Sequence, residues 1–154
     1  MKLFHGTDTV VIQPEIRVVG FTKDFGYGFY CTQLERQAKR WAVTKRTPHI
    51  VCVYEYEPDS TLNIKRFPEM TDEWLDFVAA CRHGESHKYD IVEGPMADDE
   101  IWDYVEDFLA GRITREAFWA LANFKHPTHQ IIFCNDKALS TLKYIEHYEI
   151  KSKQ

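Results

Sequence analysis

Apolar positions along the chain recur either at every second residue or at helical spacing, and the switches between the two mark out the elements. Lys2 to Gly6 predicts a strand, and Val10 to Ile12 a short second one that Pro14 ends. A loop then runs to Tyr27. From Gly28 to Thr32 the side chains alternate, with Tyr30 and Thr32 on one face and Phe29 and Cys31 on the other. Leu34, Ala38, Trp41 and Ala42 fall at i, i+4, i+7 and i+8, the stripe of an amphipathic helix that stops before Pro48. His49 to Glu57 predicts a long strand, followed by a Pro58-Asp59 turn into a further strand at Thr61 to Ile64. Trp74, Leu75, Val78 and Cys81 mark a helix opened by Thr71-Asp72 and closed by Gly84, and Tyr89 to Glu93 a strand. Ile101, Trp102, Val105, Phe108 and Leu109 form the strongest helical stripe, with Asp98, Asp99 and Glu100 at the positive end of its dipole and Gly111 past its last turn. A shorter helix follows from Thr114 to about Asn123, then a strand at Gln130 to Cys134, a brief helix near Lys137 to Thr141 and a last strand around Lys143 to Ile150. Strands gather at both ends with helices between them and no strict βαβ alternation, so an α+β fold is expected.

Composition sharpens this picture. A length of 154 residues suits one domain over 1–154 with a real core. The formal net charge of -5 gives the whole molecule no broad attraction to nucleic acid or an anionic membrane. Arg36, Lys39, Arg40, Lys45 and Arg46 make a local basic patch, expected to be a solvated helix face. Cys31, Cys52, Cys81 and Cys134 are widely spaced without a C-x-x-C pair, which predicts buried, reduced thiols. The N-terminus shows no apolar signal region and no stretch nears the ~18 apolar residues of a membrane span, so a soluble cytoplasmic protein without membrane contact is expected.

The densest chemistry lies in Lys23-Asp24-Phe25-Gly26-Tyr27-Gly28-Phe29-Tyr30-Cys31-Thr32, downstream of Phe4-His5-Gly6-Thr7. Gly26 and Gly28 permit backbone angles that other residues resist and let a ligand approach the main chain, so their backbone is expected against a ligand. Further blocks follow: Gln37-Ala38 and Trp41-Ala42, the run from Asp90 to Asp99 with Gly94-Pro95-Met96-Ala97 inside it, and Gln130-Ile131-Ile132-Phe133 ahead of Lys137-Ala138-Leu139. In their order and combination these blocks resemble the ADP-ribosyltransferase superfamily, within a bacterial branch of formerly uncharacterised domains, from about Leu3 to Tyr144.

The resemblance implies a split β-sheet core with peripheral helices, and a mono-ADP-ribosyltransferase with NAD as substrate and no metal. Cleavage of the nicotinamide-ribose bond passes through an oxocarbenium-like state, chemistry akin to glycoside hydrolysis. The acceptor would be a protein or a nucleic acid, and a toxin or defence role with an antitoxin or immunity partner fits such relatives. His5 would hydrogen-bond a ribose hydroxyl, and Gly6, followed by Thr7, would hold the nicotinamide amide by its backbone. Tyr30 would stack on the cationic nicotinamide ring, with Tyr27 or Trp41 as a second wall. Lys23, with Arg17 as a weaker candidate, and the amides at Gly26 and Gly28 would face the diphosphate.

Gln130 stands where those enzymes commonly carry a Glu. An amide hydrogen-bonds but supplies no charge, so either the acceptor provides its own nucleophile, or a carboxylate among Asp24, Asp98 and Asp99 assists, or catalysis is weak, and Gln130→Glu would add the missing charge while retaining position. On that strand Gln130, Ile132 and Cys134 share a face, which requires Ile132 beneath the pocket floor. Two rival readings stay open: an NAD-binding module without transfer, and an NAD glycohydrolase. Asp24-Phe25-Gly26 matches a kinase signature without its companions, and His83-Gly84-Glu85-Ser86-His87 lacks the spacing of a zinc-protease helix and is expected to be a loop with two solvated histidines. His126, His129 and Cys134 have no recognised metal spacing.

Overall fold

A computed structural model describes residues 1–16, 24–97, 99–122 and 128–151, with the backbone alone at 99 and 100. Among the described residues the fold is α+β, with two sheets and five helices. β1 (Lys2–Thr7), β3 (His49–Tyr56) and β7 (Leu142–Ile150) form one antiparallel sheet in the order β1-β3-β7. β2 (Phe29–Cys31), β6 (Gln130–Phe133), β5 (Ile91–Gly94) and β4 (Ile64–Arg66) form the other in the order β2-β6-β5-β4, with β4 and β5 parallel. The helices are α1 (Glu35–Val43), α2 (Asp72–Arg82), α3 (Asp99–Leu109), α4 (Arg115–Leu121) and α5 (Asp136–Leu139). No helix among the described residues is long and apolar enough to cross a membrane.

Alternation along β2 and β6 divides the core. Phe29, Cys31, Ile131 and Phe133 point to a cluster shared with Leu3, Cys52 and Tyr54 between the sheets. Tyr30 and Ile132, paired across the ladder, point to the opposite cluster, under α2, α3 and α4 with Trp74, Val78, Val105 and Phe118. Ile132 is fully buried there, as expected. The four thiols are free, with Cys31, Cys52 and Cys81 buried and Cys134 half-buried.

Two strand expectations need correction. Val10 to Ile12 forms no strand. The segment crosses the first sheet on side-chain bonds instead, with Val11 N donating to Cys52 Sγ and Tyr54 Oη donating to Val11 O. The strand expected at Thr61 to Ile64 begins only at Ile64, because Asp59 Oδ1 accepts from both Thr61 N and Thr61 Oγ1 and curls those residues into a turn. The histidine loop differs as well. His83 is exposed, but His87 is half-buried, donates from Nε2 to Phe25 O and accepts Tyr89 N at Nδ1, so it pins the turn at 24–26.

The two sheets meet at a seam. Phe4 and Thr32 exchange both backbone hydrogen bonds, Phe4 N to Thr32 O at 2.8 Å and Thr32 N to Phe4 O at 2.9 Å. A continued ladder would pair Gly6 with Tyr30 next. That pair is not made, and β1 and β2 diverge into a cleft.

Candidate functional site

At the point of divergence the Tyr30 carbonyl accepts from His5 Nδ1 at 2.6 Å. A carbonyl only accepts, so Nδ1 carries the proton and Nε2 is the acceptor nitrogen of neutral His5. By the two-residue alternation, Gly6 turns its N–H and C=O to the same edge as Phe4, hence into the cleft. Behind that edge lies α1. A Cβ on Gly6 would stand 2.2 Å from Ala38 O and 2.7 Å from Ala42 N, so only glycine lets the helix pack here.

The resulting cavity has a volume of about 410 Å³ and is lined by His5, Gly6, Asp24, Tyr30, Trp41 and Gln130, together with Thr44, Lys45, Met96, Ala97 and Trp102. The three residues expected to carry catalysis thus share one cavity, brought from β1, β2 and β6. Of the two candidates for a second aromatic wall, Trp41 lines it and Tyr27, an exposed residue, does not. Thr7 lies on a second cavity of about 530 Å³ that shares His5 and is bordered by Asp8 to Gln13, Gly28 and Phe29.

The glycines of the turn have structural roles of their own. Neither Gly26 nor Gly28 lines the main cavity. Gly26 has φ +87°, which brings its carbonyl round to accept Tyr30 Oη at 2.8 Å. A Cβ on Gly28 would meet Ile132 Cγ1 at 2.5 Å, so that glycine serves packing on β6, with its open side on the second cavity. Tyr30 Oη also accepts from Phe25 N at 3.0 Å. Burial, and then the charge of Asp24, push the Tyr30 hydroxyl well above its ordinary range, which keeps it a donor.

Asp24 is the hub of the inner wall. Its Oδ1 accepts from Arg82 Nε at 3.1 Å and Nη2 at 2.5 Å, and its Oδ2 accepts from Ala97 N at 2.9 Å and Gln130 Nε2 at 3.3 Å. Gln130 Nε2 also donates to Pro95 O at 3.2 Å, a carbonyl that accepts Trp74 Nε1 as well. Both neighbours of the Gln130 amide nitrogen are therefore acceptors, which explains an amide rather than a carboxylate at this position. No donor among the described residues reaches Gln130 Oε1. Arg82 stacks on Trp102, 3.6 Å from the ring centroid, and bonds Glu106 on α3 at 2.7 Å, so the same cation holds the α3 wall.

A second clamp sets the start of β6. Gln37, buried on α1, accepts from His129 N at 3.2 Å and donates to His129 O at 2.5 Å, one residue before Gln130. The His129 ring accepts from Gln33 N at Nδ1 and donates from Nε2 to Glu93 at 2.8 Å, and this bond holds the Glu93 carboxyl below its usual range.

Of the remaining candidates, Lys23, Arg17, Asp98 and His126 lie outside the described residues, as does the side chain of Asp99. Sequence reasoning missed that Trp102, Thr44 and Lys45 line the cavity and that Arg82 holds Asp24. Arg82 had no local signal, being 58 positions from Asp24. Lys45 had one, its i+4 spacing from Trp41. The chain belongs to the family described as a protein of unknown function, DUF3990, whose family model matches residues 1–144. No curated protein matches it in sequence.

Proposed function

We propose that this chain is an NAD-dependent mono-ADP-ribosyltransferase with an ADP-ribosyltransferase-like split-sheet core, acting at the seam between its sheets on a protein or nucleic-acid acceptor. The observation that carries the reading is the broken ladder between β1 and β2. It presents the Gly6 N–H and C=O beside the rings of Tyr30 and Trp41 in one cavity. A primary carboxamide both donates and accepts, so a strand edge of this kind matches the nicotinamide amide. The aromatic rings suit the cationic nicotinamide.

In this reading His5 Nε2 accepts from a ribose hydroxyl, its orientation fixed by the Nδ1 bond to Tyr30 O. Gln130 Oε1 faces the developing oxocarbenium charge or accepts a second hydroxyl. Donation from Gln130 Nε2 to the Asp24 carboxylate polarises the amide and raises the electron density on Oε1. That relay is the amide's substitute for a direct carboxylate. The bond that breaks is ribose C1 to nicotinamide nitrogen, with the electron pair leaving on nicotinamide, and the acceptor's nucleophile forms the new bond to C1.

One observation favours a second reading, an NAD-binding module without transfer. Asp24, the carboxylate on the cavity, has both oxygens engaged and is paired with Arg82. Incubation with NAD labelled in the ADP-ribose half, in the presence of cell lysate, separates the readings. Label on a macromolecule is the expected result; free ADP-ribose would mean a glycohydrolase, and unchanged NAD a binding module.

A further inference from the structure

β6 enters the cleft at its first residue, Gln130, just where its ladders end. Pairing with β2 runs only to Cys31 opposite Ile131, and pairing with β5 to Gly94 opposite Gln130. Thr32, next on β2, has given both backbone groups to Phe4. Strand ends without a neighbour fray, so something else must hold this one. Side chains take over the pairing. Gln37, 4% exposed on α1, accepts from His129 N at 3.2 Å and donates to His129 O at 2.5 Å, so a single amide meets both main-chain groups as a neighbouring strand would. Gln33 N, just ahead of α1, donates to His129 Nδ1 at 3.0 Å. One position earlier, Thr128 Oγ1 accepts from Met96 N at 3.0 Å and donates to Met96 O at 3.2 Å.

Satisfying a strand end explains a buried amide but not the element that supplies it. Gln37 stands one helical turn before Trp41, which lines the cavity together with Gln130. The residue it grips, His129, directly precedes Gln130. Gln37 Nε2 also lies 3.7 Å from Met96 Sδ, next to the Pro95 carbonyl that accepts Gln130 Nε2. α1 therefore touches both chain segments that place the Gln130 amide. We infer that Gln37 is a positioning residue for Gln130: it ties the helix that carries Trp41 to the strand that carries Gln130, and so fixes where Oε1 stands in the cavity. Gln37 does not itself line the cavity and acts only through β6. That Oε1 then serves the cleavage of NAD rests on the reading above; the positioning itself does not.

Nuclear magnetic resonance of the Gln130 side-chain amide in the isotope-labelled chain, its signals assigned by their loss in Gln130→Ala, tests the inference without any ligand. Gln37→Met keeps an unbranched buried side chain and removes both bonds to His129, so the Gln130 signals should shift or broaden. Those of Asn63, which donates to Lys88 O, should stay in place. Gln37→Glu serves if Gln37→Met folds poorly. It keeps the acceptor for His129 N but sets a carboxylate against His129 O, and protonation gives it a donor for that oxygen. Its Gln130 signals should therefore return towards the wild-type positions as pH falls. With NAD present, release of nicotinamide should slow at least ~10-fold in Gln37→Met, since a misplacement of ~1 Å is enough for that. KM should change less than ~3-fold, because the displaced group acts in the transition state. Unchanged Gln130 signals in the variants, a pH response of Gln37→Glu no different from that of the wild type, or a loss carried by KM at unchanged kcat would each overturn it. Shifted signals in a chain that leaves NAD intact sink the transferase reading alone; NAD turnover with unshifted Gln130 signals sinks this one alone.

Discussion

The inner wall of the cleft, built from Asp24, Pro95, Trp102 and Gln130, is a buried lattice of charge-assisted bonds, whereas the outer wall is α1 laid against a glycine with its charges in water. Asp24 and the Arg82 side chain are each 3% exposed, and every bond between them is direct. On the outer wall the backbone of Gly6 touches the helix with no side chain between. The difference teaches that the two walls hold geometry by different means. The inner one fixes the orientation of the Gln130 amide through the Asp24–Arg82 pair and the Pro95 carbonyl. The outer one sets the width of the cleft by the close approach of α1 to Gly6.

Breaking the inner lattice should have the largest effect. Arg82→Met leaves the Asp24 carboxylate buried without its cation and should cost ~3 to 5 kcal/mol, read as a large fall in melting temperature with loss of NAD binding. On the outer wall, Gly6→Ala forces a methyl group into Ala38 O and pushes α1 outward, an overpacking worth ~1 to 3 kcal/mol. Thermal denaturation and NAD titration should both register it. If Gly6→Ala were neutral, the close approach of helix and strand would not be what sets the cleft.

Gln130 sharpens the comparison further. The residue pattern favours Gln130→Glu as a gain of charge, but the neighbours on Nε2 are the Asp24 carboxylate at 3.3 Å and the Pro95 carbonyl at 3.2 Å, both acceptors. The introduced carboxyl would be held above its unfolded range by Asp24. A raised pKa of an acid destabilises the fold above that range and the penalty fades as pH falls towards ~4 to 5. Gln130→Glu should therefore be less stable than Gln130→Ala at neutral pH, by ~1 to 3 kcal/mol, with the gap closing on acidification. Denaturant melts of both variants at several pH values check the sign.

Tyr30→Phe predicts the smallest change. It removes the hydroxyl that bonds Phe25 N and Gly26 O but keeps the ring on the cavity, so it should cost ~1 to 2 kcal/mol of stability and leave NAD affinity nearly unchanged. A sharp loss of affinity without a stability change would give the hydroxyl, not the ring, the binding role.

What could be read in the sequence and what could not follows the same division. Helix α2 announced itself through Thr71, which accepts Trp74 N, and through Gly84 at φ +89°, because caps are local signals. The convergence of His5, Tyr30 and Gln130 was implied by the family resemblance that their motifs carry, while strand alternation told only which neighbours share a face. The packing of Gly28 on Ile132, more than a hundred positions away, was not legible, because no local rule carries that contact. Gln37 was legible as a helical residue but not as the clamp on His129, since an amide that mimics a strand partner leaves no periodic trace. Val10 to Ile12 has the composition of a strand, and only the competing bonds from Tyr54 and to Cys52 keep it from becoming one.

The central claim is that NAD occupies the seam cavity between Tyr30 and Trp41, and calorimetric titration of NAD into the wild-type chain and into Trp41→Ala tests it most directly. Trp41→Ala keeps the Cβ that packs near Gly6 while removing the ring. The account predicts saturable binding to the wild type and an affinity at least about tenfold weaker in the variant, a loss of ~1.4 kcal/mol or more, at an unchanged melting temperature. No heat of binding from the wild type, or equal affinity in both proteins, would contradict it.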